Sequence, residues 1–185
     1  EIYMGDWSSD VCSSDLRDRK LAKNFFFWVV QGLRRQYRSL DTVFVAHTTE
    51  AWEFSEAEFF QVSGTGGTVA STGFGKVREI IDARFNPGRA NIYLFYASDG
   101  DNAVSDQAES RELLAGIAQD SAYCGYVEVS SGLSRQLATE TGRLFAEIAG
   151  TGLPAGSYAL NDDDDIWGAV RHFFTAEQNA LEGGP

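Results

Sequence analysis

Asn91-Ile92-Tyr93-Leu94-Phe95-Tyr96-Ala97, followed by Ser98-Asp99-Gly100-Asp101-Asn102, decides the fold. The run through Ala97 is rich in β-formers and apolar on both faces. A central parallel strand, covered by helices on either side, needs that pattern. The five residues after it are turn formers placed where the strand's carboxyl end should lie.

The same reading extends outward. Before this strand, Val69 to Arg84 repeats apolar residues at helical spacing (Val77, Ile80, Ile81), and Asn86-Pro87-Gly88 stops it. Further back lie a glycine-rich loop, Ser63 to Thr68, a brief strand at Trp52–Phe54 with Ser55 as the cap of a helical turn through Glu58, and a buried strand at Thr42–His47. Arg17 to Tyr37 reads as an amphipathic helix carrying Leu21, Phe25, Trp28, Val29 and Leu33. After the strong strand come a helix over Asp106–Ser121, a strand over Tyr123–Val129, and a helix marked by Leu133, Leu137, Leu144, Phe145 and Ile148 that ends at Gly150. A short strand at Ser157–Leu160 and a last helix, opened by Asp162 to Asp165 and carrying Ile166, Val170, Phe173 and Phe174, complete the chain. Strands alternating with helices predict an α/β domain: a mostly parallel sheet, helices on both faces, right-handed crossovers.

The chain has 185 residues, 43% hydrophobic and 13% aromatic, enough for one domain with a sizeable core. Its net charge of −12 opposes broad attraction to nucleic acid or anionic lipid, so neither is expected as a partner. No run approaches the roughly 18 apolar residues of a membrane span. Two cysteines, Cys12 and Cys124, make no disulfide framework and point to a cytoplasmic setting.

Asp6 to Leu16 reads as the translation of a common short-read sequencing adapter, with Glu1 to Gly5 as the bases before it. Residues 1–16 are therefore set aside as non-native, leaving a domain over 17–179 and a frayed tail over 180–185. That segment holds four acids and no Lys or Arg, so the remainder carries −8 of the −12.

In open α/β sheets ligands gather at the carboxyl ends of the strands, where the strand order reverses. The Gly64–Thr68 and Ser98–Asn102 loops have compositions suited to that edge. A hard cation such as Mg²⁺ takes oxygen ligands and keeps several waters, so Thr68 and Asp99 qualify as ligands. Ordinary turn chemistry uses the same residue types, and spacing alone leaves both readings open.

The motif Phe95 to Asn102 resembles the strand-four end of a von Willebrand factor A-like (VWA) domain, where Ser/Thr-Asp-Gly carries the acidic member of the metal-ion-dependent adhesion site. Gly66-Gly67-Thr68 resembles the loop whose threonine contacts the ion. Ala46 to Ala51, Glu58-Phe59-Phe60, Gly66 to Ser71, Arg84-Phe85-Asn86-Pro87, Asn91-Ile92-Tyr93 and Asp164-Asp165-Ile166-Trp167 are similar, in order, to the YeaH/YhbH family, over about Arg19 to Gln178.

The resemblance implies a non-enzymatic, metal-dependent protein-interaction module, active in bacterial stress adaptation or sporulation. It would act with a PrkA-type serine kinase and a SpoVR-like protein and capture a partner's carboxylate. It also implies Mg²⁺ or Mn²⁺ bound by Thr68 and Asp99, with Ser98, Asp101, Asn102 and His47 behind them. The family's first loop, Asp-x-Ser-x-Ser, is not present as such; Asp10-Val11-Cys12-Ser13-Ser14 mimics it, with Cys12 in a serine's place. The expectation is thus a C-terminal fragment lacking the central first strand and holding no ion. The alternatives are metal-assisted phosphotransfer or hydrolysis at Asp99 and Asp101, or a structural subunit with a vestigial site.

The bland readings of the remaining candidates are structural. His47 is expected to serve hydrogen bonding, His172 to lie at or near the surface, and Cys124 to be a small buried hydrophobe. The acids of 162–165 are expected to complement a helix start, and Arg34, Arg35 and Arg38 a helix end.

Overall fold

The computed structural model describes residues 2–6, 13–61, 69–85, 87–130 and 139–182. Six strands form one sheet: β1 (Ile2–Asp6), β2 (Val43–His47), β3 (Ala51–Phe54), β4 (Tyr93–Ser98), β5 (Tyr123–Val129) and β6 (Ala155–Leu160). Their order is β3-β2-β1-β4-β5-β6, parallel throughout except for β3, which runs antiparallel at the edge.

Alternation along the strands builds two cores. Phe44 and Ala46 of β2, Phe95 and Ala97 of β4, and Tyr123 and Val127 of β5 face one side. There they meet α1 (Ser13–Gln36), the single turn α2 (Glu56–Phe59) and α6 (Asp165–Glu182) through Phe25, Phe26, Val29, Phe59, Ile166, Val170 and Phe173. Val43, Val45, Leu94, Tyr96, Cys124 and Tyr126 face the other side. That side is covered by α3 (Ala70–Arg84), α4 (Gln107–Asp120) and α5 (Glu140–Gly150) through Phe74, Val77, Ile81, Leu114, Ile117, Phe145 and Ile148. The period of 3.6 in the helices and of 2 in the strands together account for this division.

Local signals place several ends. Ser55 caps α2 in a reciprocal capping box with Glu58. Thr139 caps α5 by accepting the Gly142 N–H at 3.1 Å. Asp162 accepts the N–H groups of Asp164 and Asp165 where α6 begins, so the acidic run serves the helix start as expected. Helix α6 continues to Glu182, into the segment read as a frayed tail.

The central place of the sheet, expected to lack its native strand, is filled from within residues 1–16: β1 lies between β2 and β4, paired in parallel with both, and α1 begins at Ser13. The physical reason is that strand pairing uses backbone groups. A short extended run such as Ile-Tyr-Met-Gly-Asp satisfies the inner edges of β2 and β4, which would otherwise be unpaired.

Candidate functional site

The order of the strands reverses between β1 and β4: α1 carries the chain from β1 to β2 on one face, and α3 carries it back to β4 on the other. A crevice at the carboxyl ends of these two strands follows from that topology. The 98–102 turn stands there, immediately after β4.

Hydrogen bonds hold this turn on three sides. The buried Ser98 hydroxyl accepts the Gly100 N–H at 3.1 Å and lies 3.3 Å from the Tyr126 hydroxyl. Exposed Asp99 closes a local turn by accepting the Asp101 N–H at 3.1 Å. Gly100 has φ +94 and packs against Thr139, so a side chain there meets both backbone strain and a clash. Its carbonyl accepts the Thr141 N–H at 3.1 Å, tying the turn to α5.

Asn102 ties it to α3. Its side-chain oxygen accepts the Ala70 N–H at 3.2 Å, and its amide nitrogen donates to the Ser110 hydroxyl at 3.3 Å. Buried Asp106 strengthens that link: it accepts the Ser71 N–H at 3.0 Å, the Ser110 hydroxyl at 2.6 Å and the Ser71 hydroxyl. Burial alone would raise the Asp106 pKa, but the donors from Ser110 and Ser71 outweigh it and hold the carboxyl below its ordinary range.

Thr68 lies outside the described residues. Val69, directly after it, donates its N–H to the Thr48 carbonyl at 3.2 Å, just beyond the end of β2. With Ala70 on Asn102, the residues that follow Thr68 are held at the same rim as the Asp99 turn. His47 is different. It is fully buried at the end of β2, on the α3 side, with its ring 5.6 Å from that of Tyr96. It belongs to an aromatic layer with Tyr96, Tyr126 and Phe145 beneath the rim.

Two further groups have no counterpart among the candidates read from sequence. Glu128, next to last in β5 and opposite Ser98, accepts the Thr139 hydroxyl at 2.6 Å. Burial raises its pKa, the Thr139 donor opposes the rise, and the charge of Asp101 adds to it. Asp106 was read only as a helix start. Most of their partners are distant in sequence, Ser71 lying 35 positions from Asp106 and Thr139 11 from Glu128, so no local pattern marks the pairs. The other bland readings hold: Cys124 is fully buried with its thiol pushed up to about 12, and His172 is exposed.

Among the described residues no three His, Cys, Asp or Glu side chains are grouped to hold a metal. The rim nevertheless suits a hard cation in one respect: Ser98, Asp99 and Asp101 offer only oxygen, and Asp99 and Asp101 stand exposed. No helix among the described residues is long and apolar enough to cross a membrane.

Residues 8–177 match the family described as "Protein of unknown function (DUF444)". The UPF0229 protein of Halalkalibacterium halodurans is 35% identical over 164 residues, covering 89% of this chain and 41% of that protein. That of Shouchella clausii is 34% identical over 168 residues, covering 91% and 41%. The chain thus spans about two fifths of the length of these curated relatives. Among solved structures, a D319A mutant of the PilB minor pilin from Streptococcus sanguinis superposes with TM-score 0.71 at 9% identity, covering 100% of this chain and 62% of that one. Manganese-loaded Plasmodium vivax TRAP protein gives 0.60 at 12% identity, covering 93% and 72%. BatB from Bacteroides thetaiotaomicron gives 0.61 at 14%, covering 96% and 98%. These neighbours are VWA-like, and the α/β architecture is theirs.

Proposed function

This chain belongs to the DUF444 family, and from that premise we propose that it is a metal-ion-dependent protein-interaction module of the cytoplasm, with no turnover of its own. The carrying observation is the bridge from Asn102 to Ala70. It joins the Asp99 turn to the residues directly after Thr68, at the point where the strand order reverses. Asp99 supplies a carboxylate and Thr68 a hydroxyl, while waters and a partner's carboxylate complete the shell of Mg²⁺ or Mn²⁺. The exposed carboxylates of Asp99 and Asp101 make this rim acidic, which favours a cation there. A manganese-loaded neighbour of the same fold is in keeping with such a site.

The rim hydroxyls favour binding over chemistry. Thr139 donates to Glu128, and Ser71 and Ser110 donate to Asp106, so these groups brace the loop instead of standing ready as nucleophiles. The PrkA-type kinase and the SpoVR-like protein are the partners to try first.

Thermal melting with and without Mn²⁺ tests the proposal. At about 100 times the dissociation constant an ion stabilises the folded state by about 2.7 kcal/mol. The full-length protein is expected to melt higher with Mn²⁺, and its Asp99→Ala variant to lose that response while melting normally without metal; the present chain, in which Asp10 to Ser14 only mimics the first loop, is expected to respond weakly or not at all. An equal response in both proteins would refute the site.

A further inference from the structure

The stretch from Arg17 to Arg38, most of helix α1 and the two residues after it, concentrates positive charge in an acidic protein. Seven of the chain's fifteen Lys and Arg lie between residues 17 and 38, against the single acid Asp18, for a net charge of +6. With −12 overall, the rest of the chain carries −18. At about 100° per residue, Arg17, Lys20, Asn24, Phe27, Trp28, Gln31, Arg34 and Arg35 fall within an arc of roughly 120° on the helix. The opposite side of α1 buries Leu21, Phe25, Phe26, Val29, Val30 and Leu33.

In the middle of the outer face stand aromatic rings the core does not use. Phe27 is 43% exposed, Trp28 37%, and Trp167 of neighbouring α6 50%. They are contiguous: the Phe27 and Trp28 rings are 5.3 Å apart, and Trp28 and Trp167 4.7 Å. The seam beneath them is already sealed by Phe25, Ile166, Ala169, Val170 and Phe173. A single exposed aromatic is ordinary, but three in contact across two helices are the kind of patch that anchors partners.

We propose that this α1–α6 face docks an acidic protein segment with an aromatic or branched apolar anchor. The anchor would cover Trp28 and Trp167, with carboxylates toward the exposed Lys20 and Arg35 at the two ends. Two features favour a short acidic peptide over an extended polyanion. Asp163 and Asp164 lie exposed beside Trp167, Asp163 accepting the Asn24 amide at 3.1 Å, and would repel a phosphate lattice. The −18 on the remainder of the chain opposes the many phosphate contacts that nucleic acid or anionic lipid requires. This surface is independent of the cation site, so its test runs in EDTA.

Calorimetry with a short peptide alternating glutamate with leucine and phenylalanine is the measurement, circular dichroism confirming that each variant folds. The wild-type chain is expected to bind it with an affinity that falls as salt rises. The double variant Lys20→Glu/Arg35→Glu should bind at least about tenfold more weakly, and Trp28→Ser should lose binding even at low salt. A pure glutamate peptide should bind at least about tenfold more weakly than the mixed one. Should Trp28→Ser fail to fold, the exposed charge pair still decides. No binding by wild type, undiminished binding by the charge variant, or tighter binding to a DNA duplex or phosphatidylserine vesicles would overturn the proposal.

Discussion

Glu128 and Asp106 are both buried carboxylates, yet their surroundings treat the charge in opposite ways. Asp106 gathers the Ser71 N–H and two hydroxyls, enough donors to keep the ionised form favourable. Its contribution to stability is present above the ordinary carboxylate range and lost as pH falls through its depressed pKa. Glu128 has one donor among the described residues, Thr139, and the repulsion of Asp101, and its pKa is raised by burial first. For a raised carboxyl the sign reverses: the protonated form fits the fold, so stability is greatest at low pH and lost as pH rises through the folded value. Glu128→Gln, a neutral isostere that still accepts from Thr139, is therefore expected to raise the melting temperature at neutral pH. The gain should shrink to nothing as pH falls toward the ordinary glutamate value of about 4.3. Melting curves across that range check it, and a lower melting temperature for the variant at every pH would refute it.

Between elements, small residues set how closely the layers approach. Gly125 on β5 lies under the rings of Phe95 and Phe173, which are 5.8 Å apart. A Cβ at Gly125 would sit 2.9 Å from Phe95 Cδ1 and 3.1 Å from Phe173 Cδ1, both rings in the core. Gly125→Ala is therefore expected to cost about 1–3 kcal/mol by overpacking. Gly116 on α4 offers the contrast, since a Cβ there meets nothing within 4 Å. Gly116→Ala should be neutral or stabilise by up to about 1 kcal/mol through helix propensity. Urea titration of the two variants reads both signs, and equal effects would refute the packing account. At this scale the sequence was most legible. Tyr123–Val129 was read to the residue because Tyr, Cys and Val make it a β-rich run, although Gly125 and Glu128 interrupt its apolar character. Ser55 as a cap announced α2, and the Asp99 turn announced the rim. The supports of that turn were hidden: Asp106 reaches Ser71 across 35 positions and Asn102 reaches Ala70 across 32, and such contacts leave no local pattern. Leu133 and Leu137, read into the helix that became α5, lie outside the described residues.

For the molecule as a whole, the sheet depends on a strand from the segment set aside as adapter-derived. β1 pairs with β2 through five registered positions and with β4 through four, so among the described residues it joins the β3-β2 half of the sheet to the β4-β5-β6 half. Its removal leaves two inner edges facing each other with their N–H and C=O groups unpaired. The helices alone cannot make up the loss, since α1 and α3 lie on opposite faces and each crosses the seam β1 fills. A chain beginning at Ser13 is therefore expected to lose cooperative melting and expose the apolar surface of Phe44, Val45, Phe95 and Tyr96, which the intact sheet buries. Binding of a hydrophobic dye and loss of near-ultraviolet circular dichroism, with helical signal retained, would mark that state. Replacing Ile2–Asp6 by another β-competent pentapeptide should instead preserve folding, because the slot is filled by backbone pairing. If the truncated chain melts as cooperatively as the intact one, the sheet closes without β1 and the central place of this strand is refuted.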